Sequence, residues 1–158
     1  MLNELKIIDA SSVLAGPSVA TFFAELGARV IKVEHPRHTD VTRSWKLPSE
    51  DPNSLVSAYF SSINYKKTYK SLDLSLSTDK KLFLDLVKDA DVLITNFKKG
   101  DVEKFDITDE ILFNLNSRLI HGKINGYGSK SDRVAYDLIL QAESGFMSMN
   151  GTSESGPV

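Results

Sequence analysis

Residues 5–34 read LKIIDASSVLAGPSVATFFAELGARVIKVE, and this stretch decides the fold. The apolar run at 5–9 (LKIID) predicts a first strand. Residues 17–26 predict a helix, with Pro17 near its first turn and Gly27 just past its end. That asymmetry suits a helix that starts on a fixed φ and stops on a residue free to turn left-handed. Residues 30–34 (VIKVE) predict a second strand. Strand, helix and strand in so short a span form a β-α-β unit, the building block of a parallel sheet.

The pattern continues downstream. Residues 35–53 (HPRHTDVTRSWKLPSEDPN) are polar and broken by proline; a segment of this length without periodicity is usually functional or mobile. A short helix is expected over 55–63, and a strand or extended arm over 69–74. Ser77 is placed to cap a helix whose Leu82, Phe83, Leu86, Val87 and Ala90 form one apolar stripe. Residues 91–95 (DVLIT) predict a strand, Thr108 a cap for a helix through Leu115, residues 118–124 (RLIHGKI) a strand, and 136–142 a helical segment. The tail from Gly145 is small, polar and glycine-rich. With no repeat, low-complexity tract or internal boundary, residues 1–158 are expected to form a single α/β domain with a Rossmann-like parallel sheet and flanking helices.

Bulk properties narrow the function classes. The 158 residues are 41% hydrophobic and 25% charged, the balance of a globular chain with a real core. A net charge of -2 gives no general attraction to nucleic acid or to an anionic membrane, so any phosphate site must be local. No apolar run approaches the roughly 20 residues of a membrane span. The start, MLNELKIIDASS, lacks the basic opening of a signal peptide, so a cytoplasmic location is expected. The absence of cysteine excludes disulfides, thiolate zinc sites and a cysteine nucleophile. His35, His38 and His121 have no metal-ligand spacing and are expected to be structural or surface residues, so no metal is expected.

In open α/β sheets, ligands bind where loops leave the carboxyl ends of the strands. Residues 11–17, 34–45, 96–101 and 125–136 fall there. They supply small residues, then His, Arg and Trp, then Asn-Phe-Lys-Lys-Gly, then Asn-Gly-Tyr-Gly. Backbone amides near a helix start hold phosphate oxygens, and lysines add charge. Together these loops suggest a ligand with phosphates and a flat ring. A dinucleotide fold is the rival, because Glu34 ends the second strand where an acid grips a ribose hydroxyl. The first turn, SSVLAGPSVA, has one glycine where that fingerprint needs three.

Six stretches resemble one family: VLAGPSVATFFAELGARVIKVEHP, DVTRSW, NYKKTYKSLDL, ADVLITNFKKG, NSRLIHGKINGYG and YDLILQAESGFMSMNG. In order and spacing they are similar to family III (CaiB/BaiF type) CoA-transferases, which include formyl-CoA and carnitine CoA-transferases and 2-methylacyl-CoA racemases. The resemblance implies the N-terminal portion of a larger CoA-transferase fold, with coenzyme A as substrate. It implies that Val13, Leu14 and Ala15 line the mouth of the CoA site and that Lys67 meets the CoA phosphates. It further implies that Asn96 and Phe97 touch the CoA moiety and that Tyr127 supplies the aromatic of the next loop. His35 stands where several members carry arginine, and Lys98 and Lys99 replace a more usual Arg-Pro.

Plainer roles stand beside these. Val13, Leu14 and Ala15 also suit loop packing, and Lys67, with Lys66 and Lys70, suits an exposed strand. Asn96 also suits a turn, Phe97 the core, Tyr127 a packing aromatic, and Trp45, next to the motif residue Arg43, an anchor for its loop.

The family's transfer runs through a carboxylate that attacks the donor thioester, giving mixed-anhydride and enzyme-thioester intermediates. The motif that precedes this aspartate corresponds to residues 145–157, so the nucleophile is expected beyond Val158, with no catalytic residue in the chain. The resemblance also implies acyl-CoA and a carboxylic acid as partners, and interlocked homodimers of full-length chains. A fragment, a truncated frame and half of a split protein all remain open, and the chain alone is expected to be inactive. Within the chain, Asp137 is the best substitute carboxylate, although it also suits a helix start. Racemase members carry histidine before it. Tyr136 stands there instead, which favours transfer over racemisation. A non-catalytic binding or subunit-interaction module is the alternative from another class.

Overall fold

The computed structural model describes residues 2–98, 100–128, 130–131 and 133–157. It divides into two compact units, residues 1–124 and 125–158, although no change of composition marks residue 124.

The first unit is built on five parallel strands. They are β1 (Lys6–Ala10), β2 (Arg29–Glu34), β3 (Thr68–Ser71), β4 (Val92–Thr95) and β5 (Ile120–Lys123), in the order β3-β2-β1-β4-β5. Helices α1 (Ala15–Glu25), α2 (Ala58–Ile63), α3 (Ser77–Lys88), α4 (Asp101–Lys104) and α5 (Asp109–Leu115) fill the connections. Helix α1 begins two residues before Pro17, which therefore sits in the first turn, where its missing N–H costs nothing. It ends as a Schellman motif. Gly27 turns left-handed at φ +97°, its amide donates to the Ala24 carbonyl, and the Ala28 amide donates to the Phe23 carbonyl.

Apolar side chains cover both faces of the sheet. Ile7, Val30 and Ile94 pack with Ala20 and Ala24 of α1, and the small alanines let the helix lie close. Ile8, Val33 and Leu93 pack on the other face with Phe83 and Val87 of α3 and Leu112 of α5. Two expectations for α3 change. Leu76, not Ser77, holds the N-cap position, and Leu82 is 53% exposed, so the buried stripe is Phe83, Val87 and Ala90.

One part of the α1 face is charged. Asp9 and Lys32 are register partners on β1 and β2, and both are fully buried. Lys67, just before β3, places its ammonium 2.8 Å from Asp9 Oδ2 and 2.8 Å from the Pro17 carbonyl. The Ile63 carbonyl and Asn64 Oδ1 each accept from it at 3.0 Å. Lys32 Nζ donates to the Ser11 carbonyl at 2.6 Å and to Asp40 Oδ2 at 3.2 Å. Two carboxylates thus balance two ammonium groups. Among the described residues no buried side-chain polar atom lacks a partner. None of the described helices is long and apolar enough to cross a membrane.

On the opposite face His121 is nearly enclosed, its side chain 3% exposed. Its Nδ1 lies 2.9 Å from Asp109 Oδ1 and its Nε2 2.9 Å from Thr95 Oγ1. Burial pulls the imidazole below its ordinary pKa, with nearby Lys123 acting the same way and Asp109 offsetting only part. The neutral ring then donates from Nδ1 to Asp109 and accepts the Thr95 hydroxyl proton at Nε2.

The second unit carries α6 (Asp137–Glu143), α7 (Phe146–Met149) and a two-residue antiparallel pair, β6 (Gly151–Thr152) and β7 (Gly156–Pro157). Within it Gly126 has no room for a side chain, because an added Cβ would meet the Ala135 Cβ at 2.2 Å.

Two outcomes are expected. Lys67→Met leaves Asp9 with Lys32 at 3.9 Å as its only ammonium and strips three further acceptors, so urea denaturation should show a loss of about 3–5 kcal/mol. For His121 the folded pKa lies below the unfolded value, so the unfolded chain binds the proton first. Stability is then complete above about pH 6.5 and falls as pH drops through the folded pKa. Thermal melts of His121→Asn should show a shallower acid slope than wild type in that window. Subtracting the two curves isolates the contribution of residue 121.

Candidate functional site

A parallel sheet in this order reverses direction between β1 and β4, and a crevice opens there because the connections leave to opposite faces. An open cavity of about 340 Å³ lies at these carboxyl ends. Ser11 and Ser12 line it after β1, Glu34, His35 and Asp40 after β2, and Asn96, Phe97 and Lys98 after β4. Three of the four expected loops therefore meet.

Asn96 clamps two of them together. Its Oδ1 accepts the Ser12 amide at 3.0 Å, and its Nδ2 donates to the Ser12 carbonyl at 2.8 Å. Gly16 lets the clamp close, since a Cβ there would meet the Ser11 hydroxyl oxygen at 2.2 Å. The Ser11 hydroxyl and amide in turn both donate to Asp9 Oδ1. Phe97 sits edge-on to Phe105 with ring centroids 6.2 Å apart, one side on the core and the other on the cavity.

His35 is held in one orientation. Its Nδ1 accepts the Arg37 and His38 amides, both at 3.0 Å, so the ring proton sits on Nε2, 3.3 Å from Asp73 Oδ2. Hydrogen bonds from the Ser75 hydroxyl and amide hold the Asp73 carboxyl below the usual range, with His35 adding to the effect. The His38 ring lies 4.7 Å from that of His35 and also lines the cavity.

The other expected residues fall differently. Val13 is half-buried, and Leu14 and Ala15 are exposed; they follow the lining serines and do not line the cavity themselves. Lys67 is not presented to a ligand. Its ammonium is fully enclosed and has four acceptors for three protons, which gives it a structural role in place of the expected phosphate contact. Tyr127 belongs to the second unit, where its hydroxyl donates to Glu143 Oε2 at 2.8 Å and the Arg133 guanidinium lies 4.1 Å over its ring. The bond to Glu143 pushes the phenol pKa up. Asp137 opens α6 and accepts from the Gln141 amide group, and Tyr136 is 67% exposed. Lys99 lies outside the described residues.

Glu34 is closed to a ribose. The Arg43 guanidinium takes both its oxygens, Nε at 3.2 Å from Oε1 and Nη2 at 2.5 Å from Oε2. Arg43 itself is stacked 3.8 Å over Phe60 and 5.4 Å from the centre of Tyr69. This fork-to-fork pair removes the feature that favoured a dinucleotide. Trp45 meets Tyr59 edge-on at 5.2 Å, which anchors the long loop.

Asp40 was not singled out in the sequence, yet it connects the cavity to the buried charges. A charged residue inside a polar loop carries no signal of burial. Asp9 and Lys32 did carry one, because each stands mid-strand where a sheet covered on both faces admits charge only in pairs.

Known proteins resemble this chain in sequence and fold. The sequence pattern of CoA-transferase family III matches residues 2–158. The succinyl-CoA:mesaconate CoA-transferase of Haloarcula hispanica is 36% identical over 99% of the chain and 41% of its own length. The succinate–glutarate CoA-transferase of Agrobacterium fabrum is 38% identical over 99% of the chain and 41% of its own. The crystal structure of a CaiB/BaiF family protein from Brucella suis superposes with a TM-score of 0.86 at 34% identity, covering 98% of this chain and 42% of that one. The chain thus spans about 40% of the length of the curated relatives it matches. With residues 2–158 matching the family pattern and the fold shared, the chain belongs to CoA-transferase family III.

Proposed function

We propose that these residues form the CoA-binding part of an enzyme that moves CoA from an acyl-CoA to a carboxylic acid. The observation that carries this proposal is the single cavity shared by the loops after β1, β2 and β4, in a chain of this family. Ser12, His35, Asn96, Phe97 and the exposed Lys98 are the proposed contacts, with Val13, Leu14 and Ala15 at the rim. Lys98 offers a cation to the phosphates, and Phe97 an apolar wall to the flat ring.

The nucleophilic carboxylate is proposed to come from residues outside these 158. Attack on the donor thioester would release the CoA thiolate and leave a mixed anhydride. The thiolate would return to that anhydride to free the donor acid and give the enzyme thioester, and the acceptor would reverse the sequence. The role of the cavity is to hold CoA through both exchanges, so that a bimolecular return becomes an intramolecular one. The full-length protein is proposed to pair with a second copy. Tyr136, a phenol where a racemase would place an imidazole, supports transfer over racemisation.

Calorimetric titration should show saturable CoA binding by the chain. Asn96→Ala, which releases Ser12, should weaken it about tenfold, or about 1.4 kcal/mol, while circular dichroism stays unchanged. A flat titration of the folded wild type would sink the assignment. Incubated with acyl-CoA donors and carboxylate acceptors, the 158 residues alone should transfer no CoA; measurable turnover would place the nucleophile inside the chain.

A further inference from the structure

Val13 sits at φ +69°, a left-handed conformation that a β-branched residue rarely adopts. Such a backbone persists only where its surroundings over-determine it. Here they do. From the Ser11 amide to the Val13 amide, five successive backbone polar groups bond to side chains. Asp9 takes the Ser11 amide, Lys32 the Ser11 carbonyl, Asn96 both groups of Ser12, and Asp40 Oδ2 the Val13 amide at 3.0 Å.

Asp40 is the part of this frame that comes from the loop after β2. It is 5% exposed and has no freedom to swing. Its Oδ1 accepts the Thr42 amide at 3.1 Å and the Thr42 hydroxyl at 2.8 Å, and its own amide donates to Glu34 Oε1 at 3.2 Å. The oxygen that holds Val13 also meets Lys32 at 3.2 Å. Lys32 reaches the Ser11 carbonyl, so the circuit closes on the turn it began from.

We propose that Asp40 is a positioning residue for CoA binding: through the Val13 amide it holds the turn at residues 11–13 in the left-handed form that keeps the cavity open. This rests on the CoA reading of that cavity. A counter-ion for Lys32 alone would leave the Val13 backbone free to relax, and the two roles separate on substitution. Asp40→Ala removes both charge and tether. Asp40→Asn keeps an oxygen for the Val13 amide and removes the charge beside Lys32. Val13→Gly makes the positive φ available without a tether.

Calorimetric CoA titration and amide NMR of the chain, with Val13 assigned, provide the test. Asp40→Ala should weaken CoA at least tenfold, shift the Val13 amide upfield and speed its hydrogen exchange. Adding Val13→Gly should recover most of the lost affinity, which a purely structural counter-ion role would not allow. Asp40→Asn, which keeps the tether and loses only the charge, should hold near-wild-type affinity and leave the Val13 amide in place even if Asp40→Ala does not fold; a tenfold loss there would assign the effect to the charge and overturn the proposal. Wild-type affinity and an unmoved Val13 amide in folded Asp40→Ala would overturn the proposal, as would a Val13→Gly addition that recovers nothing. Should the wild-type chain not bind CoA, the CoA reading fails by itself. The Val13 shift and exchange rate then still decide whether Asp40 sets the turn.

Discussion

The Asp9–Lys32–Lys67–Asp40 cluster is the constraint on which the first unit depends. Its side chains are at most 1% exposed, so neither charge sign can fall back on water. Removing one ion from such a set costs several kcal/mol, whereas an exposed pair such as Lys81–Asp85 is worth little. The cluster also does what an apolar core cannot, because its bonds are directional. Asp9 reaches the turn after β1, Lys32 that turn and the loop after β2, and Lys67 the first turn of α1 and the end of α2. The connections at one end of the sheet are therefore tied to its centre.

This placement bears on how the two ends of the sheet differ. A second cavity, about 280 Å³, lies at the amino ends of β1 and β2 against α3, lined by Lys6, Arg29, Asp85 and Asp89 over an isoleucine floor. Among the described residues no buried charge lines it. At the carboxyl ends, strand order opens the crevice and the ion cluster shapes its lip. Position in the topology and local electrostatics select the same end.

Much of the fold was legible because it rests on periodicity. The β1-α1-β2 opening, the strand at β4 and the helix capped by Thr108 appear within a residue or two of expectation. The misplaced features rest on direction. Leu82 belongs to an apolar stripe by spacing but lies on its outer edge, at 53% exposure. Lys67 illustrates the limit for the site. A lysine beside Lys66 reads as surface charge, and only Asp9, 58 positions earlier, turns it inward. Asn96, His35 and Phe97 were within reach because each follows a strand directly, so the strand's end fixes where they stand.

The Glu34–Arg43 pair, stacked on Phe60 and Tyr69, bears on how this scaffold diversifies. A strand order shared with nicotinamide-dependent enzymes invites the idea that a few glycines would convert one into the other. The guanidinium blocks that route, since a sugar diol would have to evict a bidentate cation stacked on Phe60 and beside Tyr69. Redesign toward redox chemistry would have to begin at Arg43 and its aromatic bed, before any change to the first turn.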